Sequence, residues 1–132
     1  MGLVVDTNFF IDVERKKLSL DNLSQFEQYG DAYIAAITAS ELLVGVHLAK
    51  DIETRIIRAS FVEGVIENIP ILDFDEQVAR TYAEVFASCL KPKGSNVHDL
   101  QIASTAIAHG FPVLTSNTAD FKKIPGVKVL SP

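Results

Sequence analysis

The sequence is poor in cysteine and contains no uninterrupted apolar run long enough to cross a membrane. Only one of its 132 residues, Cys89, is cysteine. An internal disulfide is therefore excluded, and a reducing, cytoplasmic location is expected. No basic segment followed by an apolar stretch opens the chain, which argues against a signal peptide. Residues 100–119 carry no Asp, Glu, Lys or Arg, but His109, Gly110 and Pro112 interrupt them, so no membrane span is expected.

Basic charge is also in deficit. There are 12 Lys and Arg residues against 17 Asp and Glu, which gives a formal net charge of −5. This disfavours a protein that grips nucleic acid by electrostatics alone, because such proteins usually carry a basic excess. It does not disfavour an enzyme whose acids hold a metal ion, since the ion then supplies local positive charge. The motifs of P-loop, dinucleotide and nucleophile-elbow sites are absent as well.

Short runs rich in Val and Ile alternate with longer periodic segments, and the length fits one domain, residues 1–132. The short runs predict buried strands at Leu3–Val5, Ala32–Ile37, Ile69–Leu72, Pro112–Thr115 and Val127–Leu130. The periodic segments predict helices around residues 52–66, 78–89 and 102–107, the last ending near Gly110. No two-residue hairpin joins the strands. We therefore predict an α/β fold, a three-layer α/β/α domain with a mainly parallel, five-stranded sheet.

Four acids recur close to the predicted carboxyl ends of strands. Asp6 follows the first strand directly, and Glu41, Asp99 and Asp120 each stand three residues after Thr38, Asn96 and Asn117. Each of these three pairs, taken alone, is typical of a helix cap and a first-turn acid, which the helix dipole favours by roughly 0.3–1 kcal/mol. If the strands are parallel, Asp6, Glu41 and Asp120 lie at one sheet edge, where ligands gather in such folds, and Asp99 joins them if its helix also starts there. Clustered carboxylates repel and therefore favour a hard cation, Mg²⁺ or Mn²⁺.

The segments VVDTNFFID, ITASELLVG, HDLQIASTAIAHG and LTSNTADF resemble the PIN domain in order and spacing, over nearly the whole chain. Compact PIN domains of this size are typically the ribonuclease toxins of VapBC-type toxin–antitoxin pairs. The resemblance implies a Mg²⁺- or Mn²⁺-dependent endoribonuclease, with transfer RNA as a common target of the family. It implies that Asp6, Glu41, Asp99 and Asp120 are catalytic metal ligands. It also implies four supporting polar residues: Thr7, Asn8, Thr115 and Asn117.

The resemblance further implies a small antitoxin partner, whose tail lies in a groove near the acids, and a homodimer. Leu20, Leu23 and Phe26 are candidates to line that groove, although a core position is the preferred interpretation. Two departures from the family pattern stand out. Gly94 lies only five residues before Asp99, and Asn117 stands where some relatives have an acid. The role of His98 in this segment is left open, with a solvated or capping position as the default.

Two interpretations from other classes remain open. A receiver-type phosphoacceptor domain also places acids at strand ends, and Asp73 and Asp75 follow the third predicted strand; the first strand, however, supplies Asp6 alone. An inactive PIN-like binding module is the other, and the presence of all four acids argues against it. Two basic clusters, at residues 15–17 and at Lys91 and Lys93, are typical of solvated surface, and for Lys91 and Lys93, which adjoin Asp99, a phosphate contact is the alternative.

Overall fold

The computed structural model describes residues 1–89 and 96–132, in which strands and helices alternate along the chain. Lys91, Lys93 and Gly94 therefore lie outside the described residues. The strands are β1 (Gly2–Val5), β2 (Asp31–Ala35), β3 (Ile71–Leu72), β4 (Val113–Leu114) and β5 (Val129–Leu130). The helices are α1 (Thr7–Glu14), α2 (Ala36–His47), α3 (Ile52–Asn68), α4 (Glu76–Ser88), α5 (Val97–His109) and α6 (Thr118–Lys122), with a 3₁₀ segment at Leu20–Tyr29. No helix among the described residues is long and apolar enough to span a bilayer.

All described strand pairs are parallel, and the sheet order is β3-β2-β1-β4-β5. The predicted five-stranded parallel sheet is therefore confirmed, with shorter strands than the apolar runs suggested. The order also differs from the 2-1-3-4-5 order of receiver domains. The Asp75 side chain accepts a hydrogen bond from the backbone N–H of Val78 at 3.0 Å and caps α4. The acids after the third strand thus do not support a receiver-type domain.

Helices cover both faces of the sheet because β1 alternates between them. Leu3 and Val5 point into one core with Phe9 and Phe10 of α1, which also contains residues of α2 and α3. Val4 points into the opposite core, which is built mainly from α4, α5 and α6. Cys89 lies in this second core, as the helical pattern predicts. The three-layer architecture follows from this alternation.

The prediction for the second strand is wrong at its carboxyl end. Residues 36 and 37 continue the apolar run but belong to α2, whose N-cap is Ala35. Periodicity cannot divide a continuous apolar run between a strand and a helix, so the boundary was placed too late. As a result Thr38 is the third residue of α2 and Glu41 the sixth, and the capping box predicted from this pair does not exist. Helix capping therefore does not explain the position of Glu41.

Candidate active site

Asp6 is the most deeply buried acid of the predicted cluster. It ends β1 at the N-cap of α1, and only 1% of its surface is exposed. Its Oδ2 accepts hydrogen bonds from Thr115 Oγ1 at 2.8 Å and from Asn8 Nδ2 at 3.1 Å. Burial raises the pKa of the Asp6 carboxyl above its ordinary value, and the bonds from Thr115 and Asn8 counter only part of that rise. A buried carboxylate of this kind is stabilised by a nearby positive charge.

Glu41 reaches the same place from α2, and both of its oxygens are engaged. Thr7 Oγ1 donates to Oε1 at 2.7 Å, and His98 Nδ1 lies 3.0 Å from Oε2. Thr38 Oγ1, which is fully buried, lies 3.0 Å from Thr7 Oγ1. Because Thr7 has one hydroxyl hydrogen and an ionised Glu41 can only accept, Thr38 is the donor to Thr7. Hydrogen bonding to Thr7 and His98 rather than helix capping therefore fixes the position of Glu41.

Asp120 lies in the first turn of α6, as predicted, and Asn117 links it to Asp6. The Asn117 amide Nδ2 donates to Asp120 Oδ2 at 2.7 Å. The Asn117 backbone N–H donates to Thr115 Oγ1 at 2.9 Å, and Thr115 in turn donates to Asp6. Asn117 is the N-cap of α6, but its side chain makes no capping hydrogen bond. Asn117 therefore orients Asp120 through its side chain and connects it to Asp6 through Thr115.

Asp99 completes the cluster from the first turn of α5, whose N-cap Asn96 accepts from the His98 backbone N–H at 2.8 Å. Desolvation and then repulsion by Asp6, Asp120 and Glu41 raise the pKa of Asp99 from 3.8 to about 6, against a smaller opposing effect of His98. The repulsion requires Asp6, Asp120 and Glu41 to lie within electrostatic range of Asp99. The structure thus brings the four predicted acids together around Asp99.

The donors of this cluster fit a hard divalent cation in kind, because they are carboxylate oxygens. No three His, Cys, Asp or Glu side chains in residues 1–89 and 96–132, however, stand in a ready-made metal shell. Asp6, Glu41 and Asp120 instead bond to the neighbouring polar side chains. The cluster therefore has the charge and the oxygen donors that suit a hard cation, and three of its side chains are held by hydrogen bonds to polar neighbours.

Sequence reasoning missed two contacts of this site. Thr38 was interpreted as a helix cap, and His98 was given a solvated or capping role by default. The only sequence signal for His98 is its place directly before Asp99. Nothing local in the sequence relates it to Glu41, which is 57 positions away.

A groove with a volume of about 560 Å³ lies beside the cluster, between α1, α2 and α3. Thr7 and Glu41 of the cluster are among its lining residues, and its walls contain both apolar and polar side chains. The charged residues in its lining are Glu14, Glu41, Arg15 and Arg58, and Arg58 donates to Glu14 at 3.2 Å and to the Gly45 carbonyl at 3.0 Å. Leu23 and Phe26 do not line this groove but pack against the core, which confirms the preferred interpretation of those two residues. Leu20 is exposed and also lies outside the groove.

Comparison with known proteins places these features in one family. The family profile described as the PIN domain matches residues 3–127. The chain is 40% identical to Ribonuclease VapC1 of Rickettsia felis, over 99% of this chain and 96% of that protein. It is 34% identical to the tRNA(fMet)-specific endonuclease VapC of Salmonella typhimurium, over 73% of this chain and 71% of that one. Its fold matches a chain in the crystal structure of VapBC2 from Rickettsia felis bound to promoter DNA, with a TM-score of 0.86, 25% identity and coverage of 99% and 98%.

Proposed function

The chain belongs to the PIN domain family, as a VapC ribonuclease toxin of a toxin–antitoxin system, and we propose that it cleaves RNA with a divalent metal ion. Asp6, Glu41, Asp99 and Asp120 would hold Mg²⁺ or Mn²⁺, directly or through water. The observation that carries this proposal is the convergence of the four acids beside the buried Asp6, where burial and then repulsion by the other three acids raise the pKa of Asp99 to about 6. A bound cation would remove that repulsion.

Three of the four proposed ligands are oriented by a polar neighbour. Thr115 holds Asp6, Thr7 holds Glu41, and Asn117 holds Asp120. A cation bound by these acids would lower the pKa of a water molecule and neutralise charge on the phosphate and leaving oxygen. The polar neighbours keep the carboxylates pointed at the cluster, so less reorganisation is needed when the cation and substrate bind.

We propose structured RNA, transfer RNA in particular, as the substrate. The name of the Salmonella relative supports transfer RNA as the first class to test. The net charge of −5 leaves little general attraction for RNA, so the cation has to supply much of the positive charge at the scissile phosphate. Arg15 and Arg58 line the same groove as Glu41 and are candidates for contacts to the RNA backbone.

The test is a cleavage assay with purified protein and total transfer RNA. We expect defined fragments with Mg²⁺ or Mn²⁺, no cleavage in excess EDTA, and recovery when the metal is added back. A contaminating nuclease is controlled for by purifying the Asp6→Asn variant in parallel. Cleavage that is undiminished in EDTA would contradict the metal mechanism, and fragments from other RNAs alone would contradict the substrate.

We further propose that the cognate antitoxin binds in the groove between α1, α2 and α3. The apolar wall residues suit the nonpolar face of an amphipathic segment: Phe10, Ile11, Leu42, Ile57 and Phe61. Because Thr7 and Glu41 line the groove, a segment bound there would contact the acid cluster and exclude RNA from it. The structural likeness to chains of VapBC complexes supports a partner of this kind.

Substituting Ile57 tests this docking surface. Ile57 is 71% exposed, so Ile57→Asp should leave the fold and RNA cleavage intact while placing a charge in the groove. We expect co-expression of the antitoxin from the neighbouring reading frame to rescue growth of cells with the wild-type toxin but not of cells with this variant. Ile52→Asp is the matched control, because Ile52 is 74% exposed on the same helix and does not line the groove. Equal rescue of both variants would place the antitoxin elsewhere.

A further inference from the structure

We propose that His98 is a positioning residue that holds the Glu41 carboxylate in place for metal binding. This inference rests on the proposed metal-dependent function and assigns a role to a residue outside the four acids. His98 Nδ1 lies 3.0 Å from Glu41 Oε2. An ionised carboxylate has no hydrogen to donate, so Nδ1 carries the hydrogen of this bond.

With this contact, both carboxylate oxygens of Glu41 have a hydrogen-bond partner. Thr7 donates to one oxygen from α1, and His98 holds the other from α5. With both oxygens bonded to separate helices, the Glu41 side chain has little freedom to rotate away from the cluster. Each oxygen still keeps a lone pair, since a carboxylate oxygen can accept more than one contact. Binding of a cation therefore requires less ordering of this side chain.

The place of His98 on α5 couples Glu41 to Asp99. His98 and Asp99 are neighbours in the first turn of α5, and the Asn96 cap fixes the backbone of that turn through the His98 N–H at 2.8 Å. The contact between His98 and Glu41 thus ties a proposed ligand on α2 to the turn that carries a proposed ligand on α5. This is the arrangement expected of a residue that sets the spacing between two ligands, and a solvated histidine would not show it.

Substitutions at position 98 separate this role from a direct contact with RNA. His98→Ala removes the bond to Glu41. His98→Asn places an amide nitrogen near the position of Nδ1 and can restore the bond, whereas His98→Gln places one near Nε2 and cannot. The His98 side chain is 46% exposed, so these changes leave the core untouched. His47→Ala, at the exposed C-terminal end of α2, is the matched control.

The first readout needs no RNA: the melting temperature of each protein is measured against Mn²⁺ concentration. We expect the apparent affinity for Mn²⁺ to fall about 10- to 100-fold in His98→Ala, the usual effect of losing a residue that orients a metal ligand. It should recover in His98→Asn but not in His98→Gln. Cleavage of transfer RNA should rank the variants in the same order. His98→Ala and His98→Gln should need more metal for cleavage, but their rates at saturating metal should be close to that of the wild type.

Three outcomes would overturn the inference. Wild-type affinity for Mn²⁺ in His98→Ala would show that the contact does not position Glu41. Recovery of cleavage in His98→Gln and not in His98→Asn would show that the important atom is Nε2, which does not contact Glu41 and is the ring nitrogen left for a contact with RNA. If the wild type itself neither binds Mn²⁺ nor cleaves RNA, the proposed function fails and this inference with it, which is distinguishable because the defect is then already present without the substitution.

Discussion

The Asp6→Asn variant is expected to lose RNA cleavage and the ability to arrest growth, while its fold and its level in the cell remain unchanged. Asn has the shape of Asp, and its carbonyl oxygen can accept the hydrogen bonds that Thr115 and Asn8 now donate to Oδ2. What disappears is the negative charge at the end of β1. Because burial already raises the pKa of this carboxyl, replacing it with a neutral group should not destabilise the protein.

We expect the cleavage rate to fall by about 100-fold or more, the size of loss seen when a preorganised group that stabilises the transition state is removed. The measurements are initial cleavage rates with transfer RNA and growth after induction, at protein levels matched by immunoblot. Asp12→Asn is the control, since Asp12 lies on the same helix and its carboxyl makes none of the contacts of the cluster. Growth arrest by Asp6→Asn equal to that of the wild type would remove the main support for the nuclease site.

The position of the cluster was predictable from the sequence because it depends on topology. In a parallel sheet the carboxyl ends of the strands meet at one edge, so Asp6 after β1 and Asp120 after β4 had to lie near each other. The cap at Asn96 was recognisable from residue type and spacing. No predicted strand leads directly into that helix, however, so the place of Asp99 at the same edge depended on where the helix begins.

The surroundings of Glu41 were not predictable in the same way. The apolar run from Ala32 to Ile37 contains no turn signal, so the boundary between β2 and α2 could not be located from it. The His98 contact and the groove are formed by packing between helices that are distant in sequence. Periodicity shows which face of a helix is buried but not which polar side chain it meets across the fold.

Asp99 lies in the first turn of α5, where two explanations for an acid predict opposite effects of Asp99→Asn in the absence of metal. If it only complements the helix dipole, its loss should lower stability in EDTA by up to about 1 kcal/mol. If its charge is disfavoured by burial and by repulsion from Asp6, Asp120 and Glu41, as its raised pKa indicates, loss of that charge should raise stability at neutral pH. We expect the second result.

The raised pKa of Asp99 also determines how the stability of the metal-free protein changes with pH. The folded protein holds the Asp99 proton more tightly than the unfolded chain, because the pKa is about 6 in the fold against an ordinary 3.8. Ionisation therefore disfavours the fold, and the melting temperature of the metal-free wild type should rise as the pH falls from about 7 towards 4. This rise should be smaller in Asp99→Asn, which lacks the titrating group.

With metal present, the wild type should melt at a higher temperature than Asp99→Asn, the reverse of the order expected in EDTA. At a Mg²⁺ or Mn²⁺ concentration about 100 times Kd, binding to the folded state stabilises the wild type by about 2.7 kcal/mol, which corresponds to roughly 10 °C in a domain of this size. Asp99→Asn lacks one proposed ligand and should respond much less. Asp51→Asn is the control, because Asp51 caps α3 through the Thr54 N–H away from the cluster and should keep the full response. A variant at position 99 that melts lower in EDTA yet gains as much from metal as the wild type would mean that Asp99 serves the helix dipole and is not part of a metal site.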